Sequence, residues 1–143
     1  MSLDLEPINE LHRKIQEKLS SMISAKDLRI GNKIYLELGL PGLNVHEVMP
    51  QDIADIANGR ITPASIEGIR LSEEWLNKCG FDKGQLKHKD PQFWLEVDVK
   101  SGIIEIGDVQ QWEHSWIEIS VQYLHQLQNL YYALTGEELT IQP

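Results

Sequence analysis

Glu96 and Asp98 stand two residues apart in QFWLEVDVK, and His114 adjoins Glu113 and precedes Glu118 by four positions. Residues two apart on a strand share a face, so carboxylates at 96 and 98 could converge on a divalent cation or raise one another's pKa. A histidine beside a carboxylate adds a nitrogen ligand or a general base. Together these residues define one enzymatic reading: a small divalent-metal-dependent enzyme using Glu96, Asp98, Glu113, His114 and Glu118. The plainer reading is a solvated sheet face at 96–98 and an exposed polar segment at 113–114, because no third ligand is spaced to complete either set.

The other histidines, His12, His46, His88 and His125, form no H-x-x-H or H-E-x-x-H pair and so give no zinc-peptidase signal. Cys79 is the single cysteine, which excludes an intrachain disulfide and a multi-cysteine zinc site. A nucleophilic thiol needs a neighbouring base or positive field. On the apolar side of a short helix, Cys79 reads instead as a small core residue. Glu73 and Glu74 are adjacent and diverge by about 100° around a helix, so they make no acid/base pair. Gly39-x-x-Gly42 lacks the spacing and the Lys-Ser/Thr of a phosphate loop. No catalytic residue, cofactor-binding residue or metal ligand is assigned, and no cofactor is expected.

The tryptophans carry the best interaction signal. Trp94 falls on the polar-facing side of its strand, and Trp112 and Trp116 bracket a short polar segment. Exposed together, Trp94, Trp112 and Trp116 would form a patch suited to protein, peptide or sugar contact. The competing account has the N-terminal helix covering them.

The elements that must position these residues follow from periodicity. Val121, Leu124, Leu127, Tyr131 and Leu134 recur at threes and fours, predicting a buried helix over 121–134 with Ser120 as a cap and Gly136 past its end. Ile8, Leu11, Ile15, Leu19 and Met22 mark a second stripe from Pro7 to Met22. Strict alternation predicts strands at Lys33–Leu38 and Gln92–Val99, with return strands at Val45–Met49 and Ile103–Ile106 and a further strand at Trp116–Ile119. Ser72 caps a short helix over 73–79, with Glu73 and Glu74 in its first turn. Pro50 to Ala57 reads as a two-turn helix or as bent strands. Arg60 to Ile69 reads as an irregular connection, Gly84 to Asp90 as a solvated loop, and 137–143 as a loosely ordered tail. The economical fold is α+β: one domain over 1–143 with a small antiparallel sheet packed against N-terminal and C-terminal helices.

The 143 residues carry a formal charge of -9, with 41% hydrophobic and 24% charged side chains. That composition belongs to a folded domain. The negative excess repels a phosphate backbone, so direct nucleic-acid binding is not expected; a nucleic-acid-associated accessory role would need a partner to supply the basic surface. No apolar run approaches the ~20 residues of a membrane helix and the N-terminus lacks a secretory pattern, so the expectation is a cytoplasmic protein without membrane contact.

IEGIRLSEEWLNKCGF at Ile66 to Phe81, VQYLHQLQNLYYALTGEEL at Val121 to Leu139 and DLRIGNKIYLE at Asp27 to Glu37 resemble a family of short uncharacterised proteins of Bacteroidetes genomes and their phages or mobile elements. The resemblance covers about a third of the chain and implies no activity, cofactor or catalytic residue. It implies successive short strands over Val45 to Ile56, where MPQDIADIANG is more helix-like and PGLN is an additional turn. The functional expectation is a non-enzymatic accessory or protein-interaction module, phage- or mobile-element-associated, acting on a protein partner or a second copy of the chain.

Overall fold

The computed structural model describes residues 9–12, 23–37, 44–89, 92–108 and 116–143, with backbone alone at Lys89, Gln92, Asp108 and Trp116. The fold is α+β, as the periodicity predicts, and its elements run β1 (Lys33–Leu36), β2 (Asn44–Glu47), α1 (Pro50–Ala57), β3 (Ile66–Gly68), α2 (Glu73–Lys78), β4 (Gln85–Lys89), β5 (Gln92–Asp98), β6 (Ile103–Asp108), β7 (Trp116–Ser120) and α3 (Leu124–Thr135). Residues 9–12 are helical, and Leu11 is 59% exposed. Ile8, Ile15, Leu19 and Met22 of the first stripe lie outside the described residues.

The strands divide between two antiparallel sheets where a single one was expected. One has the order β2-β1-β3 and the other is the meander β4-β5-β6-β7. Two strands account for the difference. β3 is three residues long and lies in the stretch read as an irregular connection. β4 lies in the stretch read as a solvated loop, because its inward positions are Leu86 and His88 and its charge density masks the alternation. His88 takes a core-side place by stacking on its cross-strand partner Phe93, at 5.0 Å between ring centroids.

Residues 50–57 form a helix. Pro50 occupies its first turn, and the Asp52 carboxylate reaches back to accept from Met49 N–H at 2.7 Å, closing the end that a strand would leave open. His46 on β2 lies 2.8 Å from the same carboxylate. Burial pushes this carboxyl up, but His46 and the Met49 amide outweigh it and hold the pKa below the ordinary value. α2 begins as expected, with Ser72 Oγ accepting from Trp75 N–H at 3.3 Å.

α3 starts later than Ser120 would place it. Residues 121–123 are not helical, and the Gln126 side chain accepts from Gln122 N–H at 2.9 Å and Tyr123 N–H at 3.1 Å. The helix ends at Gly136, whose φ of 73° is the left-handed conformation glycine adopts without a Cβ clash. Leu124 and Leu127 are fully buried in a core shared with Leu95, Val97 and Ile104 of the second sheet. A second cluster holds Ile34, Leu36, Val48 and Ile66 under the first sheet.

α3 ties the two sheets together through its polar residues. Gln128, 2% exposed, accepts from Lys33 N–H at 2.8 Å and donates to Gly31 O at 3.1 Å. Asn129 Oδ1 accepts from Asn32 Nδ2 at 2.9 Å and Arg29 Nη1 at 3.1 Å, and its amide donates to Asp27 O at 3.0 Å. Residues 137–143 are docked where a loose tail was expected: Leu139 is buried in the larger core, and Gln142 N–H donates to Lys78 O at 2.7 Å.

Candidate interaction surface

The meander alternates strictly. Leu86, Leu95, Val97, Ile104 and Ile106 pack with the core, so the intervening residues form the outer face. Register then decides what meets on that face. Glu96 lies opposite Glu105, and Glu105 opposite Glu118, so three glutamates run in one row across β5, β6 and β7. Like charges directly opposite one another on a sheet are destabilising. Among the described residues no lysine, arginine or histidine forms an ion pair with any of the three.

The neighbouring row holds the aromatic. Lys87 pairs with Trp94, Trp94 with Gly107, and Gly107 with position 116. The Trp94 indole lies across Gly107: a Cβ there would come within 2.3 Å of Trp94 Cε2. The absence of a side chain at 107 is what lets the ring lie on the neighbouring strand, half-buried, beside the glutamate row. Trp112 and the side chain of Trp116 lie outside the described residues.

The row opens into a groove of about 1050 Å³, bounded by Glu73 and Asn77 of α2, by Asp82–Gly84 and by the 98–101 turn. Carboxylates from Glu73, Asp82, Glu96, Asp98, Glu105 and Glu118 line it, against Lys83 and Lys100. Asp98 belongs to the turn rather than to the row. Its Oδ1 accepts from Lys100 N–H at 3.0 Å, and that bond with the Ser101 side chain lowers its pKa. Glu96 and Glu118 stand two strands apart, roughly 10 Å at ordinary strand spacing, with Glu105 between them. Glu113 and His114 lie outside the described residues. Among the described residues no group of three or more His, Cys, Asp or Glu is placed to hold a metal ion.

Cys79 is 4% exposed at the end of α2, and burial pushes its thiol up to about 11. In the native protein at pH 8 it resists a thiol-specific reagent and reacts fully once denaturant opens the core; equal rates in both states would contradict this packing.

Glu105 and Gly107 are the members of the surface that sequence reading missed. Their signal was present: carrying the 92–98 alternation through the turn pairs 98 with 103, which sets 105 against 96 and 107 against 94. Comparison with known proteins finds no matching family model, no matching curated protein and no matching solved structure.

Proposed function

We propose that this protein is a non-enzymatic interaction module whose outer sheet face receives a basic, Lys/Arg-bearing segment of a partner protein. The observation that supports the reading is the in-register row Glu96–Glu105–Glu118, without cationic partners among the described residues, beside the indole of Trp94. Such a row works against the sheet's own stability, and a cationic segment laid across it relieves the repulsion. The indole face accepts an Arg or Lys head beside the carboxylates, and the charge of -9 steers basic partners toward the molecule. An accessory role in a phage or mobile-element assembly is compatible with this surface.

The test is fluorescence polarisation with a labelled oligo-arginine peptide, with an oligo-glutamate peptide as control. The expected result is saturable binding of the basic peptide alone, weakened at least about tenfold by raising salt from 0.05 to about 0.5 M. The triple variant E96Q/E105Q/E118Q loses that binding while unfolding no more easily than the native chain, because it removes opposed like charges. Undiminished binding by the triple variant, or no binding by the native chain, would overturn the reading.

A further inference from the structure

A second feature lies where the start of α3 meets the first sheet. His125 is the second residue of α3 and only 4% exposed, and its buried Nδ1 has no hydrogen-bond partner among the described residues. Its ring stacks on Tyr123, with centroids 5.9 Å apart and planes 23° from parallel. Gly68 of β3 closes over both: a Cβ there would sit 2.8 Å from Tyr123 Cδ1 and 3.3 Å from His125 Cε1. On either side, the seam is held by Leu124 N–H to Ile69 O at 2.8 Å and Leu71 N–H to Gln122 O at 3.0 Å. An isolated bridge between Arg70 and Tyr123 lies between those bonds.

We propose that His125 is an acid-operated latch, whose protonation frees the start of α3 from residues 68–71. A neutral imidazole fits this site for two structural reasons. Burial removes water from around a charge, and the helix N-terminus presents partial positive charge to it. The groups facing the ring divide in sign. Asp27 and Lys26 line the same cleft of about 530 Å³, together with the Tyr123 phenol. Asp27 favours the imidazolium, but its Oδ2 already accepts from Ser24 N–H at 2.9 Å and lies 3.0 Å from Ser24 Oγ; Lys26 opposes it. Gly68 and Ile69 bring no titratable group from the β3 side, and Ser120 brings none from β7. Desolvation dominates and Asp27 only partly offsets it, so the pKa of His125 lies below its ordinary value of 6.5. The unfolded or opened chain therefore takes the proton first as pH falls. The latch holds fully above that ordinary value and weakens as pH drops through it toward the lower value of the closed state.

The test follows His125 and the seam separately. Imidazole nitrogen NMR of the native chain from pH 8 to 5 should show His125 still largely neutral at the ordinary histidine value of 6.5. Its eventual protonation should coincide with at least a tenfold loss of hydrogen-exchange protection at the Leu124 and Leu71 amides, corrected for intrinsic rates. Amides between β5 and β6 should keep their protection. H125F should retain protection at neutral pH and lose the acid-dependent change. An ordinary titration of His125, unchanged protection at Leu124 and Leu71 on its protonation, or the same acid response in H125F would overturn the proposal. If H125F does not fold, the native titration and exchange data decide alone.

Discussion

Leu127→Ala lowers the unfolding free energy by about 3–5 kcal/mol, the upper part of the range for deleting a buried leucine side chain. Leu127 is completely buried in the cluster that includes Leu95, Ile104, Val121 and Leu124. Much of its surround is sheet, and a hydrogen-bonded meander cannot collapse into the void as a loop could. The truncation therefore loses both the transfer free energy and the packing of the cavity wall. Urea denaturation reads this as a lower midpoint with an unchanged slope. A loss under about 1 kcal/mol would mean that α3 does not close this core.

Gln128→Leu costs about 2–3 kcal/mol although it adds apolar surface and nearly conserves shape. The loss arises at two backbone groups, Lys33 N–H and Gly31 O, which both bond the Gln128 amide. Each orphaned group costs about 1–3 kcal/mol; both residues here are half-buried, and water can partly replace the amide. The damage should be local. Hydrogen exchange at Lys33 should accelerate before that of β5 and β6, because Gln128 engages the first sheet and leaves the leucine face of α3 in place. A stability gain from this substitution would show that the two backbone bonds contribute nothing net.

The parts of the fold that sequence made readable share one property: side-chain type and backbone period agree there. Phe93, Leu95 and Val97 alternate with Trp94, Glu96 and Asp98 without interruption, and the hairpin follows. Ser72, Glu73 and Glu74 open α2 by simple capping chemistry. Where type and period disagree, the reading fails. His88 holds an inward strand position among lysines, so β4 looked like a loop. His125 falls four residues after Val121 and Gln128 four after Leu124, on helical spacing, yet their polarity hid their burial. Spacing alone marked them; only the unsatisfied backbone of residues 31–33 explains Gln128. For the surface, Trp94 and Glu96 were readable as outward residues, whereas Glu105 and Gly107 required the register of the following turn.

The bonds from Gln128 and Asn129 to residues 27–33 have a consequence for synthesis on the ribosome. β1 is made early, but the amides that complete its hydrogen bonding arrive roughly a hundred residues later. Until α3 emerges, the nascent first sheet keeps open polar backbone and the meander an uncovered apolar side, a state that chaperones recognise. Translation that stalls before Leu124 would leave both sheets made and the larger core open, so a ribosome-arrested chain should be far more protease-sensitive than one released after α3.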